Sequence, residues 1–304
     1  MDLEKEIKKV CDGCSESTRK TYAASIRRLA KYAGLDEVPT TKAWIWGKRG
    51  ETLIKQIKRD LPVSKSRHLF NAGNVLTQIY GGRLVSWKTA MTESSQSYSK
   101  ERLKQKKSPK EATNWPKTGY SSLHAAAILQ KKLVTSLLNK KELNHSEAYK
   151  VQKYIVLLLY ANVALRLDPA SFYLKKDPVK NTLLRPKGKR NFVITMRSYK
   201  TAKSRGETVI EPKPGISRAI AKFLQQVKRD HDYLLAGANG TKLTKSGLSK
   251  LILRTTAKLL NKRIGATLIR VLKATSAAKS IKLSTELQNE MMHSQRTQAT
   301  YVRK

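Results

Sequence analysis

The apolar pattern of residues 1–91 predicts a small helical bundle. Apolar side chains recur at helical spacing before Gly34, and they are Tyr22, Ile26, Leu29 and Ala33. A second helical stretch is predicted at 41–46 and a third over 64–80, where two consecutive glycines follow an apolar face. We interpret these segments as one helical domain.

Residues 92–118 interrupt this pattern. The stretch is polar and basic, contains the runs SSQSYSK and KQKKSPK, and has almost no apolar periodicity. Such a composition is typical of a connection between domains, so we predict a basic linker. Its lysines fit either a nuclear-import patch or a flexible arm that lies along DNA.

The pattern of residues 119–304 predicts a mostly helical domain with a β insert. Helices are expected at 122–138 and 146–165, and the second is so apolar towards its end that it should be buried. Extended pieces are expected at 171–174, 191–199 and 208–211, and a polar apex at 200–206 joins the last two. Later helices are predicted over 217–228, 244–260, 266–280 and 285–292, with a short final piece from Thr297. The predicted fold class is therefore mainly α with a small antiparallel β-sheet (α+β).

The charge balance indicates the partner. Lys and Arg supply 62 of the 304 residues and Asp and Glu only 22, which gives a net charge of +40. Such a chain repels itself unless a polyanion neutralises it, so nucleic acid is the expected partner. The basic residues left for the outside of the first domain are predicted phosphate contacts: Arg27, Arg28, Lys31, Lys55, Lys58, Arg59, Lys65 and Arg67.

Other classes of protein fit the sequence less well. The longest apolar run, 154–165, is well short of the roughly 20 residues that a membrane-spanning helix needs, so we expect no membrane association. The start of the chain has mixed charge, unlike a signal peptide, and we expect an intracellular protein at the DNA genome, nuclear in a eukaryotic host. Cys11 and Cys14 form a lone CxxC, which we interpret as incidental thiols.

Five segments after residue 120 follow one another in an order that resembles a known family. In chain order they are YIVLLLYANVALRLDPASFYL, FVITMRSYKTAKSRGETVIEP, DYLLAGANGTKLTKSGLSKLI, IGATLIRVLKATSAAK and MMHSQRTQATYVRK. In this order they resemble the catalytic boxes of the tyrosine recombinases, also called phage-integrase-type enzymes. The resemblance covers residues 120–304 and implies a catalytic domain at 119–304, preceded by a core-binding-like domain at 1–91. The catalytic residues that it implies are Arg166, Lys200, Arg270, His293 and Tyr301, with Lys203 second to Lys200.

The match departs from the usual pattern at three places. The residue three positions before the second arginine is Thr267, where a histidine or lysine is usual, and a hydroxyl can bind phosphate without adding charge. Asp168 lies two residues after Arg166 instead of three, a pattern closer to the recombinases of eukaryotic viruses and large DNA transposons. Only three residues follow Tyr301, so subunits are expected to associate through contacts other than a C-terminal helix.

The implied chemistry agrees with physical need. A tyrosine hydroxyl ionises near pH 10 and needs neighbouring positive charge to act as a nucleophile at neutral pH. Arg166 and Arg270 would hold the phosphate oxygens with guanidinium forks, and His293 would add a hydrogen bond. Lys200 on a mobile hairpin would protonate the departing 5′ oxygen. The resemblance implies no metal ion and no other cofactor.

The spacing between the last two catalytic candidates requires a break. On one unbroken helix, the eight residues from His293 to Tyr301 would separate the two by about 12 Å, too far for both to touch one phosphate. Thr297 is the predicted N-cap of the new turn that carries Tyr301.

The leading functional hypothesis is a site-specific recombinase or integrase. It would cleave and rejoin double-stranded DNA through a 3′-phosphotyrosine and self-associate on DNA as a dimer or tetramer. A type IB topoisomerase shares the nucleophile and the arginines but relaxes DNA as a monomer. The third hypothesis is a DNA-binding protein that descends from a recombinase and no longer cuts.

Overall fold

The chain folds into two compact units, Met1–Lys104 and the part that begins at Gln105. A computed structural model describes residues 1–278, 291 and 295–303. Most of these residues are helical, and one three-stranded antiparallel sheet lies in the second unit. The predicted fold class, mainly α with a small antiparallel β-sheet, is confirmed.

The first unit is a bundle of helices around one apolar core. Its helices are α1 (Leu3–Val10), α2 (Glu16–Tyr32), α3 (Gly47–Asp60), α4 (Val63–Ile79) and α5 (Val85–Leu103). Trp87 is fully buried at the centre, and its indole nitrogen donates to the Ile45 carbonyl at 2.9 Å. Gly73 of α4 allows this packing, because a Cβ there would lie 2.1 Å from the Trp87 ring.

Three helices of this unit escaped the sequence prediction, namely α1, α3 and α5. Helix α1 buries only Leu3 and Ile7, and the highly charged α3 buries few apolar side chains, so neither shows a wide apolar stripe. The helical stretch predicted at 41–46 is a single 3-10 turn, Ala43–Ile45, that leads into α3. Packing against the other helices stabilises these charged segments, and a local pattern does not record that contribution.

The predicted linker is wrong in its secondary structure. Residues 92–103 continue α5, and a further helix, α6 (Pro109–Asn114), follows after a short interval. The polar half of α5 is rich in residues that tolerate a helix but is largely exposed, so it has no apolar period to detect. Ser108 and Glu111 form a capping box that starts α6.

The second unit is built around a buried helix. Its helices after α6 are α7 (Ser122–Leu133), α8 (Thr135–Leu138), α9 (His145–Asn162), α10 (Ala202–Arg205), α11 (Pro214–Gln226), α12 (Lys245–Leu260), α13 (Ala266–Ala277) and α14 (Gln295–Ala299). The apolar second half of α9 lies in the core, as its sequence predicted. The helix predicted at 285–292 lies outside the described residues, apart from residue 291.

The sheet of the second unit carries the predicted hairpin. Strands β1 (Thr182–Leu184), β2 (Val193–Met196) and β3 (Thr208–Ile210) are antiparallel in the order β1-β2-β3. Strand β1 was not predicted, because two leucines between polar residues give no alternation to read. The extended piece expected at 171–174 is found in part. A 3-10 turn, Asp168–Ser171, occupies its start, and Tyr173 then forms isolated bridges with Thr182 and Tyr233.

Two further features bear on the class of protein. Cys11 and Cys14 form a disulfide, so their interpretation as incidental thiols is wrong; residues three apart around a turn bring the sulfur atoms together. Among the described residues, every helix is too short or too polar to cross a lipid bilayer.

Candidate active site

Arg270 is a buried charge among the apolar residues of helix α13. It lies one turn into α13 and is 4% exposed, between neighbours that are buried as well. Burial lowers the pKa of its guanidinium; Arg166 lowers it further, and Tyr301 and Asp168 oppose the shift. An arginine still keeps its charge near neutral pH, so α13 presents a cation in a poorly hydrated place.

Tyr301 lies directly against this cation. Nη1 of Arg270 donates to the phenol oxygen of Tyr301 at 3.0 Å, and the guanidinium carbon lies 4.7 Å from the ring centroid. The turn that bears Tyr301 follows α14, and its amide donates to the Gln298 carbonyl at 2.8 Å. The predicted N-cap is wrong, because Thr297 lies inside α14. Thus a residue at the end of the chain and one 31 positions earlier share one site.

Arg166 enters from the end of the buried helix α9. It is half-buried, and the hydroxyl of Tyr160 donates to its backbone carbonyl. The Tyr160 carbonyl in turn accepts the hydroxyl of Tyr120 at 2.8 Å. Burial, followed by the charge of Asp168, holds the pKa of Tyr160 well above its usual value, so this hydroxyl stays a donor. The two tyrosines fix the backbone that carries Arg166.

Asp168 places a carboxylate beside the arginines. It is 4% exposed, and its Oδ2 is buried without a hydrogen-bond partner in the described part of the chain. Burial raises its pKa, against the opposing charges of Lys245 and Arg166. Lys245 is the first residue of α12, and nothing in the sequence distinguishes it from the many other lysines. The site therefore combines several cations with one buried acid.

The hairpin lysines are placed apart from these contacts. Lys200 and Lys203 lie between β2 and β3, around the short helix α10, and both are exposed. The described contacts of Arg166, Arg270 and Tyr301 include neither lysine. The hairpin carries its lysines on an exposed tip, where they remain accessible to a bound substrate.

The remaining predicted positions are Thr267 and His293. Thr267 is exposed in the first turn of α13, three residues before Arg270, so the two side chains lie on the same side of the helix. Thr267 thus belongs to the helix end at which an anion is favoured. His293 lies outside the described residues.

The arrangement suits the binding of a phosphate next to a nucleophile. Guanidinium groups offer several fixed donors, and a poorly hydrated setting strengthens their interaction with an anion. The phenol oxygen of Tyr301 accepts a hydrogen bond from one of these groups, so the phenol and the cation lie side by side. Such a site can bind a phosphodiester and bring an attacking oxygen up to it.

Comparison with known proteins identifies the fold. No protein-family model matches the sequence, and no curated protein is significantly similar to it. Among solved structures, XerH site-specific recombinase bound to palindromic difH substrate, in a post-cleavage complex, is 15% identical with a TM-score of 0.58. That match covers 98% of this chain and 79% of XerH. XerH in a pre-cleavage complex with difH is 13% identical with a TM-score of 0.55, and the match covers 98% of this chain and 81% of XerH. The chain has the tyrosine recombinase fold that its sequence resembles.

Proposed function

From this tyrosine recombinase fold, we propose that the protein is a DNA strand transferase that acts as a site-specific recombinase or integrase. The observation that carries the proposal is the contact between Nη1 of Arg270 and the phenol oxygen of Tyr301 at 3.0 Å. The resemblance implies that both residues are catalytic, and they are in contact although they lie 31 residues apart in the sequence. Their meeting is what a phenol-dependent cleavage requires.

In the proposed reaction, the phenol oxygen of Tyr301 attacks the scissile phosphorus. A P–O bond to Tyr301 forms and the bond to the 5′ oxygen breaks, which leaves a 3′-phosphotyrosine and a free 5′ hydroxyl. Arg166 and Arg270 stabilise the charge that develops on the non-bridging oxygens, and His293 donates a further hydrogen bond. Lys200 gives its proton to the leaving 5′ oxygen, while the phenol proton passes to solvent.

Rejoining is the same reaction in reverse with a different 5′ hydroxyl. Because the phosphotyrosine keeps the energy of the phosphodiester bond, the cycle needs no nucleotide hydrolysis. In this proposal, an exchange of strands between two duplexes gives integration or excision. The pattern of Asp168 after Arg166, typical of viral and transposon recombinases, supports a role in a mobile element or virus.

Double-stranded DNA is the proposed substrate of both units. In the first unit the predicted phosphate contacts are exposed, except for the half-buried Arg67, which stacks at 4.0 Å over the ring of Tyr98. Two of them already have acidic partners: Lys58 pairs with Glu93 at 2.8 Å, and Arg59 pairs with Asp60 at 2.7 Å. The others provide an exposed basic surface for the DNA backbone. Recombination needs two duplexes, so we propose a dimer or tetramer on DNA.

Covalent capture tests the proposal. The substrate is a library of duplexes, each with a nick close to a candidate site. Cleavage releases the short fragment that carries the 5′ hydroxyl, so rejoining is prevented and the protein stays covalently joined to DNA. We expect denaturation-resistant adducts with the wild type and none with Tyr301→Phe, while the two proteins bind the library with similar affinity. Sequencing the recovered DNA would give the target site.

Plasmid relaxation and the outcome of covalent capture separate the other hypotheses. Relaxation of a supercoiled plasmid by dilute protein, without site preference, would indicate a type IB topoisomerase. Tight binding of the library with no adduct at any sequence would overturn the proposal in favour of a DNA-binding protein.

A further inference from the structure

A buried ion pair fastens the segment that bears Tyr301. Arg303, two residues after Tyr301, donates from Nε to Oε2 of Glu111 at 3.1 Å and from Nη2 to Oε1 at 2.9 Å. The side chains of Arg303 and Glu111 are 1% and 15% exposed. A two-point contact between planar groups fixes orientation as well as distance, and burial protects it from screening by salt.

The rest of the same guanidinium brackets Tyr301. Nη1 of Arg303 donates to the carbonyls of Thr300 at 2.8 Å and Val302 at 2.9 Å, on either side of the tyrosine. The backbone amide of Arg303 donates to Oγ1 of Thr275 at 3.0 Å, on the helix α13 that also carries Arg270. The turn is therefore held through its carbonyls by Arg303 and against α13 by an amide.

Glu111 is itself held rigidly. Its Oε2 accepts the amide of Ser108 at 2.8 Å within the capping box of α6. Helix α6 is tied in turn to the loop before α13, where Oδ1 of Asn114 accepts the amide of Arg263 at 2.8 Å. The Glu111 carboxylate is thus connected through α6 to the loop before α13, the helix that carries Arg270.

We propose that Arg303 is a positioning residue for the nucleophile, and that its pair with Glu111 is a latch that holds Tyr301 beside Arg270 of the same chain. The role in cleavage rests on the proposed function. Attack on phosphorus needs the reacting atoms within about 3.5 Å and aligned, and a misplacement of about 1 Å can slow a reaction about 100-fold. Because the latch closes within one chain, Tyr301 acts in cis.

The first experiment measures the latch without DNA. Hydrogen exchange is followed by mass spectrometry in wild type and Glu111→Gln, whose amide side chain keeps the capping box but removes the charge and the two-point pairing. The matched control is Glu147→Gln, since Glu147 is also the third helical residue in a capping box and pairs with Lys140 at 2.5 Å. We expect at least about tenfold faster exchange at 299–303 in Glu111→Gln alone, because the amides there depend on the latch.

The second experiment measures the effect on cleavage. At saturating concentrations of a nicked duplex obtained by covalent capture, Glu111→Gln should form the adduct about 100-fold more slowly, with unchanged DNA affinity. Arg303→Lys keeps the charge but not the fork, so it should be impaired as well, and Glu147→Gln should match the wild type.

A small external nucleophile distinguishes positioning from damage to the site. Hydrogen peroxide can attack the phosphorus in Tyr301→Phe, where no tyrosine needs to be held. If the latch acts through the tyrosine, Tyr301→Phe with and without Glu111→Gln should cleave at equal rates under peroxide. A slower rate in the double variant would show that Glu111 supports the arginines instead, and would overturn the proposal.

Mixing tests the cis assignment. Tyr301→Phe and Arg270→Ala are each expected to be inactive, and a mixture should form no adduct if nucleophile and arginine come from one chain. Restored adduct would overturn action in cis. Lack of any adduct with the wild type would overturn the proposed function, whereas unchanged exchange at 299–303 in Glu111→Gln would overturn the latch itself.

Discussion

Arg270 lies where an arginine is unfavourable to bury, among apolar residues of α13 and 4% exposed. Desolvation of an ion costs several kcal/mol, and nearby groups of opposite charge or good hydrogen-bonding capacity must offset that cost. Tyr301 supplies a hydrogen bond and Asp168 supplies negative charge. In the proposed function, a bound phosphate would stabilise the guanidinium further.

Replacement of Arg270 by lysine separates charge from geometry. Arg270→Lys keeps a cation but removes the planar fork, so we expect covalent adduct formation to fall by about 100- to 1,000-fold, as on loss of a donor to a developing oxyanion. The measurement is single-turnover adduct formation on a nicked duplex. The control is Arg254→Lys, an exposed position on α12, which should retain the wild-type rate. Equal rates for the two variants would contradict the role of Arg270.

Asp168 gives a pH dependence of a defined sign. Burial raises the pKa of its carboxyl above the ordinary value of 3.8. The folded protein therefore holds this proton more tightly than the unfolded chain, and the contribution to stability is present below pH 3.8 and lost as the pH rises through the folded value. Relative to Asp168→Asn, the melting temperature of the wild type should fall with rising pH in this window. A difference that is constant with pH would contradict the assignment.

At the scale of elements, the sequence predicted best those helices whose apolar face is wide. Helices α2, α4, α9 and α12 show such faces and were found close to their predicted bounds. The charged α3 and the three-residue β1 bury their few apolar side chains only through tertiary packing, and no local pattern contains that information. The linker prediction overlooked the Ser-Pro-Lys-Glu motif at 108–111, in which serine and glutamate have the spacing of a capping box.

Only some residues of the candidate site could be predicted from the sequence. The order of the motifs singled out Arg166, Arg270 and Tyr301, but the hydrogen bond of 3.0 Å between the last two depends on how α13 and the segment after α14 pack. Arg303 carried no signal at all, because one basic residue among 62 is uninformative until its burial is known.

The packing of α4 on α5 predicts a sensitive position in the first unit. A methyl group at residue 73 would lie 2.1 Å from the ring of Trp87, which is fully buried and cannot move away. Gly73→Ala should therefore destabilise this unit by about 1–3 kcal/mol, the usual cost of overpacking a core. Thermal unfolding checks the prediction. Gly13→Ala, where nothing lies within 4 Å of an added Cβ, is the control.

The pairing of α6 with the end of the chain predicts a second pH dependence, opposite in sign to that of Asp168. Burial raises the pKa of Glu111, but the hydrogen bonds from Arg303 and the Ser108 amide outweigh it, and the pKa falls below the ordinary 4.5. Its stabilisation is present above pH 4.5 and lost as the pH falls through the folded value. The stability difference between wild type and Glu111→Gln should therefore shrink in acid. Chemical unfolding from neutral to acidic pH measures it, and a gap that widens would contradict the ion pair.

At the scale of the whole molecule, the net charge of +40 needs a polyanion to be neutralised. Both units contribute basic residues, but only the second carries the residues proposed for chemistry. We therefore propose that the first unit binds the duplex mainly through contacts to the phosphates of the DNA backbone. Binding of this kind releases counterions, so its strength depends on salt more than on sequence.

The salt dependence of binding tests this division of roles. Each neutralised phosphate adds about 0.9 to the slope of log affinity against log salt, so Arg27→Gln combined with Lys31→Gln should lower the slope by about 0.9 for each phosphate that is no longer neutralised. Lys58→Gln should change it less, because Lys58 is already paired with Glu93 at 2.8 Å. Fluorescence anisotropy with a short duplex at several salt concentrations gives the slopes.

Because contacts to the DNA backbone set affinity and not chemistry, the double variant should still form adducts at the wild-type rate once DNA is saturating. An unchanged slope would place the DNA on another surface of the first unit, and a slower rate at saturation would mean that these residues also position the scissile phosphate.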